Sequence, residues 1–346
     1  MRILAAHPGP RFSVHDVHVG WTEALREVGN RVAEYDLSTR LTMYDAALIE
    51  GPNKTVKKAF SPEQAVQLAV NGLCAALYRL KPEVLFVTYA RFYPNEIFDL
   101  ARTYGTKIVV MHTESPYEDE RQLEVASHAD INLVNDPTHL VKFNEVAPTY
   151  YMPHSYREGF HQPGDQKASV AGDFVFVGTG YKSRINFFDQ MNFDGLDVLL
   201  AGNWQMLSDD SHLRKYVIHD FDECLDNQQT VEVYQSCKVG MNLYRREVDM
   251  GDSITEEGWS CGPREIEMAA CGLFFLRESR GESNELFPML PTFVTPDDAS
   301  DELHWYLKHD DIRREAIADA RARIADRTFV NRASELMQLL EGLTNG

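Results

Sequence analysis

The chain has 346 residues, 44% of them hydrophobic and 25% charged, with a formal net charge of -19. These are ordinary globular values, enough for two domains that each bury a core. The acidity repels polyanions at long range and excludes broad non-specific nucleic-acid binding, but not a compact phosphate site needing only a few cations.

In chain order, the first half alternates short apolar runs with amphipathic stretches. Ile3 to Ala6 reads as a buried strand, Trp21 to Val28 as a helix and Val32 to Tyr35 as a second strand. Ser61-Pro62-Glu63-Gln64 is a helix start, with Ser61 as N-cap, Pro62 in the first turn and Gln64 closing a capping box. Apolar residues then recur at Val66, Val70, Leu73, Leu77 and Leu80, one stripe of a helix. Val84 to Val87, Lys107 to Met111 and Ile131 to Val134 read as strands, with a helix from Glu96 to Tyr104 and another begun by Asp136-Pro137. Residues 153–172, polar and containing Gly and Pro, break the rhythm and read as a linker.

The alternation then restarts. Strands are expected at Phe174 to Val177, Val198 to Ala201, Val239 to Leu243, Leu273 to Leu276 and Phe293 to Thr295, and helices at Thr230 to Ser236 and Pro263 to Cys271. From Ala299 three helices close the chain, the last with a stripe at Val330, Ala333, Met337 and Leu340. The reading is therefore α/β, with two facing Rossmann-like domains at 1–152 and 173–327 and a final helical segment at 328–346.

The five cysteines form no C-x-x-C pair, which fits a reducing compartment and makes structural zinc improbable. The first residues enter a strand without a signal-peptide pattern, and no apolar run approaches the ~18 residues needed to span a bilayer. A cytoplasmic location away from membranes is expected.

In open α/β sheets, ligands bind beyond the carboxyl ends of strands. Two such places stand out. Gly178-Thr179-Gly180-Tyr181-Lys182-Ser183-Arg184 follows a strand and opens a helix, with glycines for close backbone approach and Lys182 and Arg184 where a diphosphate would lie. The same turn also suits simple strand–helix packing. Gly262-Pro263-Arg264-Glu265-Ile266-Glu267 opens another helix, where Glu267 suits a ribose diol and Arg264 a phosphate. An ion pair within that helix is the competing account.

Glu267-Met268-Ala269-Ala270-Cys271-Gly272 resembles the E-A-x-A-x-G signature of GT-B glycosyltransferases, whose Glu binds the donor ribose. The second half, through Asn242-Leu243-Tyr244-Arg245, Pro263 to Glu267, Glu285-Leu286-Phe287 and Arg327-Thr328-Phe329, resembles the spore-maturation (CgeB-type) branch, and phage-encoded members look similar. The first half matches mainly through His112-Thr113-Glu114-Ser115-Pro116-Tyr117.

The resemblance implies a GT-B fold with a central cleft and a last helix that packs back on the first domain. It implies a hexosyltransferase-type enzyme, metal-independent and retaining, using a nucleotide-diphosphate sugar and no cofactor. The acceptor is left open among protein, small molecule, glycan and DNA. One departure bears on retention: many retaining members carry a second Glu eight residues before the ribose Glu, where this chain has Trp259. A non-catalytic nucleotide-sugar binder and a GT-B-fold epimerase are the alternatives.

The implied donor set is Gly9, Gly178, Thr179, Gly180, Lys182, Arg184, Arg245, Arg264 and Glu267, with His112 and Glu114 as catalytic candidates. Two clusters stay outside that set. His15, Asp16 and His18 form an H-D-x-H pattern for which a metal is considered and set aside. Asp249, Asp252, Glu256 and Glu257, between a strand and a helix, read as a solvated acidic loop or an acceptor-facing lid that Gly251 and Gly258 would let move.

Overall fold

The computed structural model describes residues 1–9, 14–51, 54–114, 117–247 and 258–344. Pro10, Ser115, Pro116, Asp249, Gly251, Asp252, Glu256 and Glu257 fall outside them. The chain divides into two compact units, Met1–Met152 together with Ala333 onward, and Pro153–Arg332.

The first unit opens with β1 (Arg2–Ala6), α1 (Val14–Glu27), β2 (Arg31–Tyr35), α2 (Leu37–Asp45), β3 (Leu48–Glu50), β4 (Val56–Lys58), α3 (Pro62–Leu80) and β5 (Val84–Thr88). It continues through α4 (Glu96–Thr103), β6 (Lys107–His112), α5 (Asp119–Ala126), β7 (Ile131–Val134), α6 (Leu140–Asn144) and β8 (Thr149–Tyr151). Six strands form one parallel sheet in the order β2-β1-β5-β6-β7-β8. All five residues of β5 are buried, as expected of a strand covered on both faces. The capping box at the start of α3 forms: Gln64 N–H donates to Ser61 Oγ at 3.3 Å and Ser61 N–H to Gln64 Oε1 at 2.9 Å. The antiparallel hairpin β3–β4 and helix α2 were not foreseen; their residues are mostly exposed, so no apolar period announces them.

The second unit carries β9 (Gly172–Val177), α7 (Lys182–Phe188), β10 (Val198–Ala201), α8 (Asn227–Ser236), β11 (Cys237–Asn242), α9 (Pro263–Cys271), β12 (Phe274–Glu278), α10 (Gly281–Leu286) and β13 (Thr292–Phe293). Then come α11 (Pro296–Leu307), α12 (Asp310–Arg323) and α13 (Phe329–Thr344). The five strands are parallel in the order β10-β9-β11-β12-β13. Phe174, Phe188, Leu200, Val239, Phe275 and Phe287 sit at the centre of its core. Residues 153–172 belong to this unit: Tyr156 bridges Thr328, and its N–H reaches Arg327 O at 2.9 Å. Helix α13 starts at that bridge and runs into the first unit, where Asn30 Nδ2 lies 3.3 Å from Met337 Sδ. Among the described residues no helix is long and apolar enough to cross a membrane.

Each sheet has one point where the winding reverses, between β1 and β5 in the first and between β9 and β11 in the second. The carboxyl ends of those strands are where an open α/β sheet leaves room for a ligand.

Candidate functional site

In the second unit, β9 delivers the Gly178 turn and β11 delivers Asn242 to the same reversal point. The turn is tightly committed to its own framework. Gly178 N–H donates to Ala201 O and Gly180 N–H to Asn203 O, each at 2.8 Å. A Cβ on Gly180 would lie 2.4 Å from the Trp204 ring, so that glycine admits an indole. Gly202, at φ +113°, lets the neighbouring turn pass Gly178 O at what would be 2.4 Å from a Cβ.

Arg184 braces this turn. Its Nε and Nη2 donate to Leu243 O at 3.0 and 2.7 Å, and its Nη1 to Thr179 O at 3.0 Å. The start of α7 also meets an internal anion. Ser183 N–H and Oγ donate to the two oxygens of Glu247, at 2.7 and 3.0 Å, and Arg246 N–H donates to Glu247 Oε2 at 3.1 Å. The sequence pointed to a phosphate here; the folded chain puts a buried carboxylate of its own on those donors. Lys182, at the first position of α7, is exposed.

Arg245 is half-buried beside Tyr181, with Nη1 3.3 Å from the phenol oxygen. Arg246 pairs with Glu278 at 2.9 Å, and Glu278 also accepts Tyr244 N–H at 2.6 Å. Burial pushes the Glu278 carboxyl above its ordinary range, against the pull of Arg246.

Helix α9 presents the third part of the site. The carboxylate buried deepest on it is Glu265, not Glu267. Glu265 is 0% exposed and accepts Tyr244 OH at 2.6 Å, Gly262 N–H at 2.7 Å and Ser283 Oγ–H at 2.6 Å. Burial raises its pKa, and those hydrogen bonds oppose the rise. Glu265 thus holds the turn into α9 against α10. Its position, third in a helix begun by Pro263, was the available signal, since that is where a side chain reaches back to the N-cap.

Glu267 and Arg264 form the within-helix ion pair, at 3.4 Å. Their side chains are only 13% and 29% exposed, so the pair lies in a recess and not on open surface. Beside it, Asn242 is 7% exposed and its Nδ2 has no hydrogen-bond partner. That amide touches the helix start: a Cβ on Gly262 would lie 3.3–3.4 Å from Asn242 Oδ1 and Nδ2. A buried, unpartnered amide donor beside a helix start is a place where a polar ligand can complete the hydrogen bonding. Trp259 packs flat against Gly281, where any Cβ would come within 2.2 Å of the indole.

In the first unit, Gly9 follows β1 at φ +121°, and a Cβ there would lie 2.6 Å from the Phe92 ring. The glycine answers to that ring and to its own backbone. His7 accepts Gly9 N–H on Nδ1 at 3.2 Å and lies 2.8 Å through Nε2 from His15 Nδ1. His18 is buried between His7 and Glu34, 3.4 Å from the carboxylate. Two of the H-D-x-H residues, His15 and His18 on helix α1, are thereby joined to His7, which follows β1. Burial, helped by the two neighbouring imidazoles, lowers the His7 pKa to about 4.

His112 ends β6, 2% exposed, with Nε2 2.8 Å from Asn132 Oδ1. Asn132 Nδ2 donates to Ala126 O, so Oδ1 is the acceptor and His112 carries its proton on Nε2. Glu114 is half-buried, and its N–H donates to Gln122 Oε1 at 3.3 Å. His112 also lines a small recess with Tyr89, Arg91, Glu118 and Gln122, residues the sequence reading passed over. Tyr89 directly follows β5, and the rule that selected His112 would have found it.

Residues 184–338 match the family described as Glycosyl transferase-like. Among curated proteins, none matches the sequence. Solved structures align along nearly the whole chain. The E. coli trehalose-6-phosphate structure bound with UDP-2-fluoro glucose has a TM-score of 0.63 at 11% identity, covering 98% of this chain and 99% of that one. Anabaena HepE in complex with UDP gives 0.57 at 10% identity, covering 100% of both. A putative UDP-N-acetylglucosamine 2-epimerase from Listeria monocytogenes gives 0.57 at 11% identity, covering 97% and 94%. The chain has the GT-B fold. Within GT-B, the segment that matches the family contains Arg184, Arg245, Arg264 and Glu267.

Proposed function

We propose that this GT-B protein is a glycosyltransferase that moves a sugar from a nucleoside-diphosphate sugar to a hydroxyl acceptor. The observation that carries the reading is the start of α9, where the buried, unpartnered Asn242 amide, the Gly262 turn and the Arg264–Glu267 pair come together at the winding reversal of the second sheet. A nucleoside diphosphate offers phosphate oxygens to Asn242 Nδ2 and Arg264, and ribose hydroxyls to Glu267.

The chemistry needs a stabilised leaving group. Breaking the bond between the anomeric carbon and phosphate leaves negative charge on the diphosphate. Arg264, Arg245 and Lys182 are the cations of this edge that can offset it, so the reading requires no metal. Arg184, fixed on two carbonyls, holds the turn that presents Lys182. We place the protein in the cytoplasm and relate it to the CgeB-type branch on the motifs from Asn242 to Gly272. Retention of configuration is part of the proposal.

The test is a panel of UDP-, GDP- and dTDP-sugars incubated with the protein and read by mass spectrometry for released nucleoside diphosphate. Release from one donor, lost in Glu267→Gln, supports transfer. Donor binding without release under any acceptor supply would make the protein a binder.

A further inference from the structure

We propose that Arg327, acting through the buried carboxylate of Glu282, is a positioning residue for the turn that enters α9. The inference rests on the proposed function only in taking that turn as the seat of a nucleoside diphosphate.

The Arg327-Thr328-Phe329 motif stands out in the sequence, yet it lies outside the donor set. The fold gives it a place. Tyr156 N–H donates to Arg327 O at 2.9 Å, and Phe329 N–H donates to Tyr156 O at 3.1 Å. These paired segments lie just after Pro153 and just before Arg332, the two ends of the second unit. From there the Arg327 side chain reaches Glu282, with Nη1 donating to Oε1 at 2.7 Å. The pair is buried, its side chains 15% and 2% exposed.

The other oxygen of Glu282 accepts Cys261 N–H at 2.9 Å. Its own peptide is engaged as well: Glu282 N–H donates to Trp259 O at 2.9 Å. Alongside, Arg280 Nη1 donates to Ser260 O at 3.1 Å, and Gly262 N–H donates to Glu265 Oε2 at 2.7 Å. Four consecutive residues, Trp259 to Gly262, form neither helix nor strand, and each has a backbone group held in this way. A segment without a ladder of its own takes the geometry that its partners impose.

An ion pair is a poor source of stability here, because burying two charges costs about as much as their attraction returns. It is a good source of geometry. Arg327 and the Cys261 amide fix the two oxygens of Glu282 separately, so the turn cannot shift without breaking one of the bonds. What depends on the turn is the candidate nucleotide site. Gly262 rests against the Asn242 amide, and the helix it begins carries Arg264 and Glu267. Loosening Glu282 would misplace these groups while leaving each of them present.

The experiment combines calorimetric titration with UDP, GDP and dTDP and amide hydrogen exchange over residues 259–264, in the full-length protein. The variants are Arg327→Gln, the conservative Arg327→Lys and, as a control, Arg313→Gln. Arg313 is also buried in this unit, but its guanidinium donates to Asp310 and Tyr306, on α12 and α11. Arg327→Gln is expected to speed exchange at Cys261 and Gly262 and to weaken the best-bound nucleotide about tenfold, the scale of one lost hydrogen bond at a contact group. Arg327→Lys keeps a cation for Glu282 and should recover most of both losses. Arg313→Gln should change neither, whatever it does to the melting temperature. Unchanged exchange over 259–264 in folded Arg327→Gln overturns the proposal. So do equal losses in Arg313→Gln, which would mark general loosening of the unit, and faster exchange with unchanged affinity. Should Arg327→Gln fail to fold, Glu282→Gln, which keeps the size of the side chain and removes its charge, is read in its place. If the parent binds none of the three nucleotides, the transfer reading falls, and the exchange results alone decide whether Arg327 holds the turn.

Discussion

The carboxyl edges of the two sheets solve the same packing problem in opposite ways. In the second unit the charged groups satisfy one another: Arg184 is spent on backbone carbonyls, Glu247 on the start of α7, Glu265 on three donors and Glu278 on Arg246. In the first unit the strand ends leave the Thr88 and Thr113 hydroxyls without partners, and so too the amide of Gln122, which lines a small recess. The contrast is one of degree, since the second edge also leaves an amide over, at Asn242 Nδ2: there the charged groups just named are bound internally, while at the first edge uncharged hydroxyls and an amide lack partners. Substitutions should then divide by partner: those at internally bound groups such as Glu265 cost stability, those at contact groups such as Glu267 cost binding.

The largest expected effect is Glu265→Ala. It orphans Tyr244 OH, Ser283 Oγ and Gly262 N–H inside the core, and losses of about 1–3 kcal/mol per buried group predict a total of several kcal/mol. Calorimetry should show the transition of the second unit fall sharply while that of the first is kept. An unchanged melting profile would break the contrast at its centre.

Acid comes next. The folded His7 titrates at about 4 against an ordinary 6.5, so between those values the unfolded chain binds the extra proton. Stability tied to His7 is therefore whole above pH 6.5 and declines as pH falls toward 4, by about 3 kcal/mol at most. Glu34, lowered to about 2 chiefly by its hydrogen bond with His18, acts in the window below: its contribution is present above about 4.5 and lost as pH falls through 2. Urea midpoints measured from pH 7 to 4 should drop for the parent and stay flatter for His7→Gln.

Glu267→Gln is expected to leave folding nearly intact and weaken donor binding by about 1–3 kcal/mol, the range for one lost charged hydrogen-bond partner. If the carboxylate serves only Arg264, the variant will bind and turn over donor like the parent. Isothermal calorimetry with UDP and the donor-release assay separate the two.

Gln122→Leu should likewise change stability little, within about 1 kcal/mol of the parent, because it removes an amide whose Nε2 has no partner at the price of one weak acceptor. A large loss of stability there would mean the first edge is as self-sufficient as the second.

The sequence by itself determined the elements and their class. Short apolar runs and a period-3.6 apolar stripe, together with the Ser61 capping box and the Pro263 start, place most strands and helices because those signals are local, though the short helices α5 and α10 went unread. The same locality explains α2 and the β3–β4 hairpin: with little apolar face to bury, they leave no pattern to read. What each polar residue does was decided by tertiary structure. Lys182 and Arg184 stand two positions apart, yet one is exposed and the other is bound to Leu243, brought there from the neighbouring strand. Glu265 and Glu267 share a helix, and only the placement of Tyr244 and Ser283 makes the first a buried hub and leaves the second in a recess. Tyr89 and Glu118 meet across twenty-nine residues. Charge is written in the residue, but its partner is supplied by the fold, since hydrogen bonds act over about 3 Å whatever the separation along the chain.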